Sequence, residues 1–179
     1  PFLGSSTFAN NLSLAQSTGN WPSAVAANDL TGNIDYATSH PTTFIYPSDS
    51  MSDGNWQYSS SDNSFWDKTI YDPCPVGWHV PGWLDFAASN FDYDTSVSEH
   101  SGMSFPILST TTVWLPAAGQ RLGTNSSGNI SGVGKYGSYW TSDPATVSDA
   151  YRLFFGLNQG VNTSSYIRRA DACSVRCVR

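Results

Sequence analysis

Charge is what this sequence has least of. Only 12% of its 179 residues are Asp, Glu, Lys or Arg, against roughly 25% in an ordinary soluble domain. Glu99 is the single glutamate, and Lys68 and Lys135 are the only lysines. The straight-chain charged residues that stabilise exposed helices are therefore missing, which excludes a helical bundle, a coiled coil and a highly charged disordered tail. Long apolar runs are missing too: no stretch approaches the ~18–20 residues of a membrane-spanning helix. Residues 1–20 lack the basic and apolar regions of a secretion signal. The chain starts at Pro1 rather than Met, which suggests a processed form or a piece of a longer protein and leaves the parent's location open. Absent as well are His-Glu-x-x-His, Gly-x-Ser-x-Gly, a phosphate-binding loop and a dinucleotide fingerprint. His40, His79 and His100 stand apart without metal-ligand spacing.

What is present instead is polar, β-branched and aromatic. Ser, Thr and Asn supply 28, 15 and 12 residues, 55 of 179, and 14% of the chain is aromatic. That mixture predicts a loop-rich domain containing strands. The length suits one domain, and 39% hydrophobic residues suffice for a core. Net charge is divided: residues 1–120 carry eleven acids and one base (−10), residues 121–179 three acids and seven bases (+4), for −6 overall. Nucleic-acid binding requires a clustered basic face, so this acidic chain is not expected to bind nucleic acid.

Along the chain, helices are compatible with Phe8–Gln16, Pro22–Asp29 and Gly82–Asn90. Residues 31–64 read as mostly loop around the short apolar run Phe44-Ile45-Tyr46, and 123–134 as a Gly/Ser/Asn loop. Strands are expected at Thr110–Ala118, Tyr136–Ser142, Ala150–Leu157 and Cys173–Val178, with a loop over 158–166. In the third of these strands, Leu153 and Phe155 would turn to one face and Arg152, Phe154 and Gly156 to the other. Trp78, Trp83, Trp114 and Trp140 sit among apolar or turn-forming neighbours and read as core, whereas Trp21 and Trp56 lie in polar loops. Asp92-Tyr93-Asp94-Thr95-Ser96 has the alternating oxygens of half a calcium loop, but Val97 and Met103 occupy the positions that need glycine and a bidentate acid, so no metal is expected. Cys74, Cys173 and Cys177 make an odd number. On an extended strand Cys173 and Cys177 are roughly 13 Å apart, too far to bridge each other, so Cys74 can pair with either.

Four blocks in order, Lys68-Thr69-Ile70-Tyr71-Asp72-Pro73-Cys74-Pro75-Val76-Gly77-Trp78-His79-Val80-Pro81, Trp114-Leu115-Pro116-Ala117-Ala118-Gly119-Gln120-Arg121, Gly137-Ser138-Tyr139-Trp140-Thr141-Ser142 and Ser174-Val175-Arg176-Cys177-Val178, resemble the Fibrobacter succinogenes major paralogous domain. Gly19-Asn20-Trp21-Pro22 and Pro41-Thr42-Thr43-Phe44-Ile45 resemble its versions in Bacteroides fimbrillin-like surface proteins. The resemblance implies a single domain over residues 1–179 with an α+β, C-type lectin-like fold, a small twisted antiparallel sheet with two or more short helices and long loops. It also implies an exported setting, at the cell surface, on a pilus or on a phage particle. Cys74 and Cys177 stand at the family's cysteine positions, which implies a Cys74–Cys177 disulfide and leaves Cys173 over.

The last block, with Ala150-Tyr151 and Arg169-Ala170, is similar to the variable region of diversity-generating retroelement target proteins. Carried over, the fixed scaffold is Tyr139, Trp140, Ala150, Tyr151, Leu153, Phe155, Arg169, Ala170, Ser174, Val175, Arg176 and Cys177. The candidate variable, ligand-binding positions within 138–177 are Ser138, Thr141, Asp143, Arg152, Phe154, Gly156, Asn158, Asn162, Thr163, Ser164, Ser165, Tyr166, Arg168, Asp171 and Ala172. The implied function is non-enzymatic binding or adhesion without a cofactor. Phe154 and Tyr166 would anchor a protein or glycan ligand, Arg152 and Arg168 would meet acidic groups, and Asn158, Asn162 and Ser165 would adapt. A structural or tip subunit of a Bacteroides-type fimbria, packing on neighbouring subunits, is the alternative. An enzyme of the formylglycine-generating type, which shares the fold and uses cysteines, is a third.

Overall fold

A computed structural model describes residues 23–41, 43–47, 72–87, 102–108, 111–123, 128–156 and 160–179. It has the α+β composition expected, as small and mostly antiparallel sheets with two short helices. The elements are β1 (Ala24–Ala26), α1 (Ile34–Ser39), β2 (Phe44–Tyr46), α2 (Trp83–Ala87), β3 (Gly102–Leu108), β4 (Thr111–Pro116), β5 (Gln120–Arg121), β6 (Ile130–Ser131), β7 (Tyr136–Pro144), β8 (Asp149–Gly156) and β9 (Gly160–Arg168).

The body is the antiparallel sheet β7-β8-β9. On its outer side β7 is extended by the chain end rather than by a regular strand. Trp140 N donates to Ser174 O and Ser174 N to Ser138 O, both at 2.9 Å, and Gly119 N donates to Tyr136 O at 2.9 Å. Arg121 and Ala172 exchange a further pair of backbone bonds. Segments 119–121 and 172–174 thus lie along one edge of β7, and β9 forms the opposite edge of the sheet.

The core lies on one face. Leu153 and Phe155 from β8 and Tyr139 from β7 bury against Met103, Phe105 and Leu115 from the β3-β4 hairpin and Ala117 just after it. Phe155 is its centre, edge-on to Phe105 at 5.5 Å and stacked on Tyr139 at 6.1 Å between ring centroids. Gly137 faces Phe155 across the sheet, and a Cβ on Gly137 would lie 2.1 Å from the Phe155 ring. Tyr139 O–H donates to Pro116 O at 2.8 Å, so the one polar atom that the ring brings inside is satisfied. Burial pushes that hydroxyl far above its ordinary range.

Cys74 and Cys177 are bonded, with Cα atoms 5.7 Å apart. His79 and Val178 beside them exchange two backbone bonds of 2.9 Å. Closing a separation of 103 residues removes on the order of 4 kcal/mol of unfolded-chain entropy.

Several expectations need correction. Residues 24–26 form a strand parallel to β2, not a helix: Val25 lies opposite Ile45, and a helix spanning only 22–29 has too few turns to offset nucleation without an apolar stripe. Within the expected loop at 31–64, Asn33 caps α1, its side chain accepting from Tyr36 N at 2.8 Å. Residues 160–168 are strand β9 rather than loop, and 130–131 pair as β6. Residues 173–178 make isolated bridges rather than a continuous strand. Trp78 and Trp114 are 41% and 36% exposed instead of core; the first follows a turn closed by the disulfide, the second lies on the outer face of the hairpin, between the half-buried Val113 and the buried Leu115. Of the third predicted helix, Trp83–Ala87 is helical and 88–90 lie outside the described residues. So do Phe8–Gln16, Trp21, Trp56 and the 92–96 acidic loop.

Gly137→Ala should destabilise the fold by roughly 1–3 kcal/mol, the usual cost of overpacking a filled core. The measurement is the denaturant midpoint against wild type. An unchanged midpoint would mean that Phe155 does not depend on this gap.

Candidate functional site

The register of the sheet sorts the C-terminal side chains into two groups. On β7 and β8, Tyr136, Ser138 and Trp140 lie opposite Gly156, Phe154 and Arg152, all on the face away from the core. On β9, Asn162 and Ser165 lie opposite Phe154 and Arg152 and share that face. A bulge between Arg152 and Phe154 shifts the pairing. Beyond it Tyr166 lies opposite Tyr151, and Arg168 opposite Asp149, on the other face. The two anchors expected to act together, Phe154 and Tyr166, are thereby separated by the sheet, as are Arg152 and Arg168.

Around Arg152 the first group is knitted together. Its guanidinium donates to Ser138 Oγ at 2.9 Å, to Ser165 Oγ at 3.2 Å and to Gln120 Oε1. It also lies 4.8 Å from the centroid of Phe154, whose ring tilts against Tyr136 at 5.4 Å. Ser138 is fully buried, and its hydroxyl is within hydrogen-bond reach, 3.1 Å, of Cys173 Sγ. Burial draws the guanidinium below its ordinary value, while Cys173, Asp171 and Tyr136 pull it back up. Arg152 is half-buried and already committed to three side chains. It is a strut joining β5, β7, β8 and β9, and presents little of itself to an acidic ligand.

Other candidate positions also act from beneath the surface. Thr141 is buried in the irregular stretch of β7, where its hydroxyl donates to Tyr151 O at 2.9 Å. That irregularity directs Asp143 towards α2, where it accepts from Trp83 N at 2.6 Å. Asp171 is buried and accepts from Gly123 N at 2.5 Å; burial raises its carboxyl above the ordinary value, opposed by that bond and by Arg152 and Arg168. Gly123 is needed there, since a Cβ would meet Ala170 O at 2.3 Å. Gly156 is buried and Ala172 half-buried. Asn158 lies outside the described residues.

The exposed candidates gather on β9. Asn162, Ser164, Tyr166 and Arg168 are exposed and alternate with the half-buried Thr163, Ser165 and Ile167. Tyr166 is 60% exposed, yet its ring has support: it meets Tyr151 edge-on at 6.3 Å, and Tyr151 stacks on Trp83 of α2 at 5.8 Å. Trp83 and Tyr151 as backing for Tyr166 were not predicted. The only sequence signal was the aromatic character of both positions, because the contact joins residues 83, 151 and 166, far apart along the chain. Among the described residues no group of three or more His, Cys, Asp or Glu converges to hold a metal.

Burial pushes the Cys173 thiol up to about 11, partly offset by its contacts with Ser138 and Arg152. In the unfolded chain the thiol loses its proton above its ordinary 9.0, whereas the folded thiol keeps it until about 11. Stability linked to this group is therefore full below the lower value and is lost as pH rises through that window. Cys173→Ala should lose less stability across the window than wild type, as read by denaturant midpoints at each pH. Equal losses would place the thiol outside this network.

No curated protein and no solved structure matches the chain. The profile of one family, described as Domain of unknown function (DUF8237), matches residues 61–178. This range takes in α2, the β3-β4 hairpin, the β5-β6 pair, the β7-β8-β9 sheet and both ends of the disulfide, and the chain belongs to that family.

Proposed function

We propose that the chain is a non-enzymatic binding module with a C-type lectin-like fold, carried by a protein exposed at a bacterial surface or on a phage particle. It would hold a protein or glycan ligand on its C-terminal segment. One observation carries this reading, the division of labour within residues 138–172. Tyr139, Leu153, Phe155 and Ala170 are buried, while Asn162, Ser164, Tyr166 and Arg168 are exposed on one strand. Tyr, Ser, Asn and Arg on a rigid support suit recognition, because an immobilised ring gives contact area at little entropic cost and small polar groups adapt their hydrogen bonds. The ligand face is accordingly drawn on the side of β9 that carries Tyr166 and Arg168, backed by the Trp83-Tyr151 stack, while Asn162 shares the opposite side with the Arg152 and Ser138 framework. The cysteines favour binding over oxidase chemistry: Cys177 is bridged to Cys74, and burial keeps Cys173 protonated.

A fibre subunit is the second reading, and the position of β9 favours it. Among the described residues β9 is the last strand of its sheet, and a strand edge is a ready template for a neighbouring chain.

Sequencing the gene across a natural population tests the proposal. Non-synonymous changes should concentrate at the codons for residues 162, 164, 166 and 168, beside a reverse transcriptase gene and a near-copy of the codons for 138–177. A segment as invariant as the β3-β4 hairpin, without such a neighbour, would reject a variable binding face.

A further inference from the structure

Away from β9, the disulfide end of the molecule carries a second surface that the binding reading does not use. Pro75-Val76-Gly77-Trp78 forms a tight turn in which Trp78 N donates to Pro75 O at 2.9 Å. Gly77 takes a φ of 80°, the left-handed geometry that position i+2 of a type II turn requires. Val76 is thereby held at the tip and is 98% exposed, followed by Trp78 at 41%. Val175, 40% exposed, lies on the other segment. The Cys74–Cys177 bond and the His79–Val178 backbone pair tie the two segments together.

Exposed apolar groups on a turn fixed in this way do not relieve strain or fill a core, and each costs free energy in water. Two exposed arginines, Arg176 and Arg179, stand on the second segment, and the nearest acid on the first, Asp72, has its Oδ1 taken up by Cys74 N at 2.7 Å. The His79–Val178 register sets Trp78 opposite Arg179. An exposed apolar tip, an indole opposite Arg179 and a second exposed arginine on the same segment complement one environment: an anionic lipid surface, where Val enters the headgroup and acyl boundary, Trp sits at the interface and Arg meets phosphate. We propose that this turn docks the domain peripherally on an anionic membrane. The contact is shallow and spans nothing; no helix among the described residues is long and apolar enough to cross a bilayer. It would orient β9 relative to the membrane, and it stands or falls separately from the nature of the ligand bound there.

Co-sedimentation of the intact chain with vesicles tests the proposal, using phosphatidylcholine alone and phosphatidylcholine mixed with phosphatidylglycerol. Binding should favour the anionic vesicles, weaken with added salt and fall on the order of tenfold in Val76→Asp, since both apolar burial and charge oppose that change. Arg176→Gln with Arg179→Gln should weaken binding and flatten its salt dependence, with the near-ultraviolet circular dichroism of both variants unchanged. Failure to bind anionic vesicles, or equal binding by Val76→Asp, overturns the proposal. So does concentration-dependent self-association that Val76→Asp abolishes in the absence of vesicle binding, which would assign the turn to a second copy of the chain.

Discussion

Phe155 in the space left open by Gly137 is the contact on which the rest of the structure depends. The ring occupies the place where a Cβ would stand, so β7 and β8 approach only if position 137 carries no side chain. Once they do, Tyr139 stacks on Phe155, its hydroxyl reaches Pro116 O, and the β3-β4 hairpin closes over Phe155 through Phe105. The same registration fixes everything on the far face, because Ser138 and Trp140 are then held opposite Phe154 and Arg152.

From that registration come two surfaces of different character. Arg152 binds four elements together through Gln120, Ser138, Ser165 and Phe154. A charged group held this way specifies one arrangement of its neighbours, and losing a partner leaves a half-buried charge uncompensated. β9 has the opposite design. Its exposed residues lie outside the buried core: Tyr166 is propped by Tyr151 and Trp83, and Asn162 Oδ1 accepts from Ser164 N at 2.9 Å within the strand. A strand whose outward residues can change without disturbing the core suits a face selected for recognition.

Much of this was readable in the residues. The alternation Arg152-Leu153-Phe154-Phe155 announces which side of β8 is core; the residues alone let Cys74 pair with Cys173 or Cys177, and the resemblance implied the Cys74–Cys177 bond, now found. What escaped has physical causes. β9 is rich in Asn, Thr and Ser, so its strand character comes from pairing with β8 and not from apolar alternation. The bulge opposite Leu153 reverses the facing of Tyr166 relative to Phe154, and a single extra residue in a ladder has no signature in composition. Ser138 and Asp171 are variable positions by the resemblance alone, yet both are buried with partners more than thirty residues away.

The central claim is that residues 137–172 divide into a framework that cannot change and exposed positions of β9 that can. A saturation library over this segment, sorted by resistance to proteolysis, addresses it directly. The account predicts loss of resistance for most substitutions at Gly137, Ser138, Tyr139, Arg152, Leu153, Phe155 and Ala170, and broad tolerance at Asn162, Ser164, Tyr166 and Arg168. Tolerance at Arg152 and Ser138 equal to that on β9, or intolerance along the exposed positions of β9, would contradict it.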